Sequence, residues 1–177
     1  LSTFGKTMAN GIPMAALIGK KKIMEKAKDT FVSSTNWTER LGPACAVAFI
    51  KKHKKLNLGK ILQNKGKIIR NIWTEAARDA NLDIQISGIL PLSSFKIQTD
   101  NNDWPVIITY FIQEMLKKNI LASDRCYSNY CQSDKYFDIY RKECQRIFKN
   151  MSHYLSKKTL KKQLKGPIKQ MGFKRLT

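Results

Sequence analysis

The sequence predicts an α/β protein, with a small strand-rich start and one helix followed from about residue 58 by a two-layer α/β domain. Three observations carry that expectation. Apolar residues recur at helical spacing over 61–80, 104–118 and 134–151. Residues 82–87 alternate as Leu-Asp-Ile-Gln-Ile-Ser, and 92–99 read as a second strand after Gly88 and Pro91. The segments follow one another as α-β-β-α-β-α. A chain of 177 residues with 42% hydrophobic content is long and apolar enough for a core.

Residues 1–4 are expected to be the end of a strand and 14–18 a short buried strand. Asn10-Gly11 and Pro13 make the turn between them, which brings Lys6 to a sheet edge. Residues 20–28 place Ile23, Met24 and Ala27 at helical spacing and predict a short amphipathic helix ended by Asp29, with 30–34 extended. Pro43 suits the first turn of a helix over 44–55 that is apolar through Ile50 and basic afterwards. Asn57-Leu58-Gly59 is a break, and a long amphipathic helix runs on to about Ala80. The two strands 82–87 and 92–99 form an antiparallel hairpin. Trp104-Pro105 opens the next helix, 120–122 is a short strand extending the sheet, and Ser133-Asp134 can cap the last helix. That helix carries Phe137, Tyr140, Cys144, Ile147, Phe148 and Met151 on one face. Residues 159–177 are strongly basic, contain Gly166-Pro167, and read as an exposed tail.

The chain holds 33 Lys and Arg against 13 Asp and Glu, a formal charge of +20, which attracts nucleic acid or another polyanion. The cations are spread over every segment, and a coding bias toward lysine produces the same pattern. The apolar runs 12–18 and 44–50 are far short of the ~20 residues that span a bilayer, so no membrane contact is expected. The N-terminus lacks a secretory pattern, and the chain is expected to be the C-terminal part of something longer. Cys45, Cys126, Cys131 and Cys144 form no Cys-x-x-Cys pair, and His53 and His153 lie far from them, so no metal site is expected. Cys45 reads as core. Cys126 and Cys131 could pair only in an oxidising compartment, and a reduced, cytoplasmic protein is the simpler reading.

Lys6 is set apart from the other lysines because Gly5 and Thr7 flank it and Asn10-Gly11 and Pro13 follow. A primary amine placed in this way can form a Schiff base with a carbonyl compound; the alternative is an ordinary surface lysine on a turn. Residues 33–43 form a hydroxyl-rich loop leading into a helix start. Such a loop can hold a phosphate, or Thr38 or another hydroxyl can simply cap its own backbone.

Ser2-Thr3-Phe4-Gly5-Lys6-Thr7-Met8-Ala9-Asn10-Gly11-Ile12-Pro13-Met14-Ala15-Ala16 resembles the active-site lysine segment of class III, fold type I, pyridoxal-phosphate-dependent aminotransferases, with members near glutamate-1-semialdehyde 2,1-aminomutase the closest. Gly19-Lys20 and Ile23-Met24 fall where the family pattern wants them. Ser33 to Ala44 is similar to the loop in which the family places a Gly-Thr pair, and Thr38 matches its threonine, although Trp37 replaces the glycine. The resemblance implies that residues 1–57 are the C-terminal end of the large cofactor-binding domain. It makes 58–157 the two-layer α/β small domain and 158–177 a basic tail.

On that resemblance Lys6 is the catalytic lysine that binds pyridoxal 5'-phosphate, and it then serves as general base and acid. Thr38 holds the cofactor phosphate across a homodimer interface. The substrate is a small amino acid, amino aldehyde or amino sugar, and the reaction is transamination or internal amine transfer. The family's pyridine-nitrogen aspartate, ring-stacking aromatic residue and first phosphate loop lie outside the matched segments, so the chain by itself is expected to be poorly active. Tyr130-Cys131-Gln132-Ser133 also departs from the family, which has Ala-His there. The alternative function is a non-catalytic basic module that binds nucleic acid or another polyanion.

Overall fold

The computed structural model describes residues 1–31, 35–36, 39–101 and 103–172. The chain divides into two compact units, Leu1–Gly59 and Lys60–Thr177.

In the first unit β1 (Ser2–Phe4) pairs antiparallel with β2 (Ala16–Ile18), with Phe4 opposite Ala16 and Ser2 opposite Ile18. The connection is longer than a tight turn because it contains a 3₁₀ turn at Lys6–Met8. The expected helix over 20–28 is present as α1 (Lys21–Met24), continued by a 3₁₀ turn at Glu25–Asp29. The extended segment expected at 30–34 lies largely outside the described residues.

α2 runs Leu41–Leu56 and starts earlier than Pro43 suggests. The Glu39 carboxylate accounts for this, since its two oxygens accept the N–H groups of Leu41 at 3.0 Å and Gly42 at 3.2 Å. A negative charge satisfying these otherwise orphaned donors stabilises the first turn. Gly42 is buried, and a Cβ there would stand 3.3 Å from Met14 Cβ, so the helix start rests on the chain between the two strands. α2 ends at Asn57, whose left-handed φ of 47° is the break expected from the sequence. Cys45, read as core, is half-buried.

The second unit follows the predicted order. α3 (Leu58–Asp79) leads into the hairpin of β3 (Ile84–Ile89) and β4 (Leu92–Ile97), then α4 (Trp104–Leu116), β5 (Arg125–Tyr127) and α5 (Asp134–Ser156). The three strands form one antiparallel sheet in the order β3-β4-β5. Ser93, Phe95 and Ile97 alternate inward along β4, where the two apolar residues meet Trp73, Phe111 and Phe148 from the three long helices. Phe95 is the hub of this core. Its ring centroid lies 4.9 Å from Trp73, 5.3 Å from Phe111, 5.7 Å from Phe148 and 5.9 Å from Trp104.

The hairpin is seated on α3 through Gly66 and Arg70. A Cβ on Gly66 would lie 1.9 Å from the Leu90 carbonyl oxygen, so only glycine lets the turn lie on the helix. Arg70 Nε donates to Ser93 Oγ at 2.7 Å and its Nη2 to the Gly88 carbonyl at 2.8 Å. Gly88, expected to end the strand, lies within β3 at φ 85°.

Three further expectations are corrected. Residues 120–122 are not a strand. The Ile120 N–H instead closes the end of α4 on the Met115 carbonyl after Asn119 turns left-handed at φ 59°, and the third strand is β5. Ser133 holds the N-cap position of α5 with an extended backbone, but its hydroxyl makes no capping bond. The basic segment after residue 159 is not a free tail through residue 169. Leu160 is buried, a 3₁₀ turn covers Leu160–Gln163, and Lys169 N–H donates to Thr109 Oγ1 on α4 at 2.9 Å.

Candidate active site

The first unit places Lys6 on a 3₁₀ turn directly after β1, with Gly5 extended before it. Lys6 has a backbone φ of 51°. A side chain with Cβ enters this left-handed region at a cost of about 1 kcal/mol, and such outliers cluster where geometry serves function. Three features hold the turn. The Met8 N–H donates to the Gly5 carbonyl at 3.1 Å, the Asn10 N–H to the Thr7 carbonyl at 3.1 Å, and Ala9 is buried at 1% exposure. Asn10 at φ 50° and Gly11 at φ 107° then reverse the chain, a pair the sequence reading had assigned to the turn.

Among the described residues Lys6 has no ion-pair or hydrogen-bond partner for its side chain, which is exposed. On either side of it, Gly5 and Thr7 line an apolar cleft of about 480 Å³ with Phe4, Met8, Ile18, Phe49, Ile50 and His53. The residues on either side of Lys6 thus face the cleft, and among the described residues no carboxylate pairs with its amine. That arrangement fits a lysine that joins a carbonyl group.

Thr38 lies outside the described residues. The helix donors that a phosphate could use at the start of α2, the N–H groups of Leu41 and Gly42, are taken by Glu39. Glu39 was not singled out in the sequence, although an acid placed just before a helix with an early proline is a readable signal. The residues present thus fit the aldehyde end of pyridoxal phosphate through Lys6, while the first turn of α2 offers its anion no free donor at residues 41 and 42.

The second unit, taken by itself, contains the stretch Tyr130-Cys131-Gln132-Ser133. Its backbone is tied down by Lys65 of α3, whose Nζ donates to the Tyr130 carbonyl at 2.7 Å and to the Gln132 carbonyl, with the ammonium 5.9 Å from the Tyr130 ring centroid. Asn129 and Gln132 complete the turn: Cys131 N–H donates to Asn129 Oδ1 and Asn129 N–H to Gln132 Oε1, each at 3.0 Å. Nothing in the sequence separates Lys65 from the other helical lysines, since nothing local to it signals two carbonyls 65 and 67 residues away.

Burial shapes the remaining ionisable groups. It is the first cause raising the Tyr110 phenol to about 12, followed by the neighbouring Glu114 carboxylate. Burial also acts to raise Glu114, but hydrogen bonds from Lys117 and Gln113 outweigh it and hold the carboxyl below its usual range. The Cys126 and Cys144 thiols are pushed up by burial and are correspondingly poor nucleophiles.

The mixed α/β fold is shared with a solved structure. A solved structure described as the pyridoxal-phosphate internal aldimine form of the FumI protein of Sphingopyxis sp. MTA144 superposes with a TM-score of 0.75 at 18% identity, over 87% of this chain and 37% of that one. In sequence, the chain is 26% identical over 123 residues to the 3-aminobutyryl-CoA aminotransferase of Cloacimonas acidaminovorans (strain Evry), which covers 68% of this chain. It is 37% identical over 51 residues to the aminopentol aminotransferase of Sphingopyxis macrogoltabida, 29% of this chain. The chain spans 30% and 12% of the length of these two curated relatives. No family model matches it. Among the described residues no helix is long and apolar enough to cross a membrane.

Proposed function

We propose that this chain is part of a pyridoxal-phosphate-dependent aminotransferase, with Lys6 as the amine that carries the cofactor. The observation behind this reading is the strained Lys6 on its braced turn, without a side-chain partner among the described residues, in a segment that resembles the family's lysine motif. The relatives named as aminotransferases and the fold shared with a pyridoxal-phosphate protein support it. Residues 1–57 then belong to the end of the cofactor-binding domain and 58–157 to the small domain.

When bound, pyridoxal phosphate supplies the electron sink for a carbanion next to the substrate's amino group. In this reading Lys6 Nζ would hold the cofactor at its aldehyde end and, when free, would serve as the general base and acid that moves the proton. The turn at Lys6–Met8 fixes the backbone that carries that amine, and the residues on either side of it line the cleft with Phe4, Ile18 and Phe49. Thr38 would be the residue that offers a hydroxyl to the cofactor phosphate, across a homodimer interface. The substrate is a small amino acid, amino aldehyde or amino sugar, handled by transamination or by internal amine transfer.

The test is selective capture. The chain is mixed with substoichiometric pyridoxal phosphate, reduced with borohydride and peptide-mapped. Label concentrated on Lys6, and lost in Lys6→Ala, supports the proposal. Label spread evenly over the exposed lysines, with Lys6→Ala unchanged, overturns it.

A further inference from the structure

Outside the lysine turn, the strongest charge asymmetry lies at the far end of the chain. From Cys144 to Thr177 the sequence contains no Asp or Glu, and Lys157, Lys158, Lys161, Lys162, Lys165 and Lys169 crowd into 13 residues. The structure holds this segment as a strap. Lys158 turns left-handed at φ 55°, the Thr159 N–H donates to the Tyr154 carbonyl at 2.9 Å, and Leu160 is buried at 4% exposure. Gln113 on α4 grips the strap at two points, donating to the Gln163 carbonyl at 3.0 Å and accepting the Lys165 N–H at 2.7 Å. Lys169 is paired with Asp124 at 3.7 Å. The other five lysines are exposed and, among the described residues, no side-chain partner neutralises any of them.

We propose that this strap is a binding surface for nucleic acid, read through its phosphates without sequence preference. Five like charges on a fixed backbone repel one another, with no acid in their own segment and only Asp103 sharing a pocket with Lys158 and Lys161 among the described residues, and that repulsion is relieved when a polyanion replaces the condensed counterions. Lysines are point charges suited to phosphate oxygens, and the strap presents no fork of arginines to read base edges. A membrane partner is disfavoured because Leu160 and Leu164 turn toward the core, leaving no amphipathic helix to insert. An acidic protein is disfavoured because residues 157–169 carry no aromatic or arginine anchor of the kind that holds protein interfaces. The inference is independent of the role given to Lys6.

The experiment measures binding of the full chain to a fluorescent mixed-sequence single-stranded RNA of about 20 nucleotides across a salt series, where five contacts give a log–log slope near −3.5. Replacing Lys157, Lys158, Lys161, Lys162 and Lys165 with Gln should raise Kd about tenfold or more and remove most of that slope. The matched set Lys20, Lys21, Lys22, Lys26 and Lys28 to Gln should change it little. Acetylation footprinting of the unaltered chain should show RNA protecting the five strap lysines, a readout that does not depend on a variant folding. Four results overturn the proposal: no binding at low salt, equal loss in both variants, equal competition by polyglutamate, or strap-dependent binding to phosphatidylglycerol vesicles in preference to RNA.

Discussion

Gly66 and Gly88 show how little room single residues leave in the second unit. A methyl group on Gly66 would overlap the Leu90 carbonyl at 1.9 Å, and that atom is backbone, so it cannot swing aside. Gly66→Ala should cost about 3 kcal/mol and lower the urea midpoint without changing the slope. Tyr110 makes a prediction of a different kind. Its phenol sits at about 12 in the folded chain against an ordinary 10.0, so the folded state holds that proton more tightly. The associated stability is complete below pH 10 and is lost as pH rises toward 12. Tyr110→Phe should therefore flatten the alkaline limb of the melting curve, as followed by calorimetry from neutral to high pH.

At the scale of elements, the strap and the hairpin are each held by a few polar grips, which makes their contributions separable. Leu160→Ala should cost about 2–3 kcal/mol and speed amide exchange over 160–169 ahead of the α5 interior. Arg70→Met should loosen the 88–93 turn by removing its bonds to Ser93 and Gly88, seen as faster exchange in β3 and β4 with the helices unchanged. Most helices were legible in the sequence because each carries its own signal: the apolar stripe of 61–80, Pro105 at the start of α4, Asn57 at the end of α2. The third strand was misplaced to 120–122 because Ile-Leu-Ala looks like a strand, whereas Arg-Cys-Tyr at 125–127 becomes one only through pairing with β4. Pairing partners are set by tertiary contacts that no local pattern encodes. The buried side of the strap was missed for the same reason. Its lysines dominate the composition, and the two leucines that dock it are visible only against the core. The turn bearing Lys6 was readable from Gly5, Asn10 and Gly11, but the left-handed backbone of Lys6 itself was not.

For the whole molecule, the core rooted in Phe95 belongs entirely to the second unit, since its buried members run from Ile69 to Leu160. Among its described residues the first unit leaves Phe4, Leu17, Ile18, Val47 and Ile50 exposed and buries only small residues, Ala9, Gly42 and Ala46. Residues 60–177 expressed alone should melt cooperatively, whereas residues 1–59 alone should show no cooperative transition and should bind a hydrophobic dye. A non-cooperative melt of the 60–177 piece would mean that its core depends on the first unit.

The packing of Trp73 has a practical consequence for all of these measurements. Its indole is 0% exposed, donates to the Tyr140 hydroxyl at 2.9 Å and lies against Phe95, while Trp104 is also buried in the same unit. With Trp37 replaced by Phe, the fluorescence of the chain would come from these two indoles alone. Their shift to longer wavelength would then time the opening of the second unit without any attached label, even while the first unit is altered or bound.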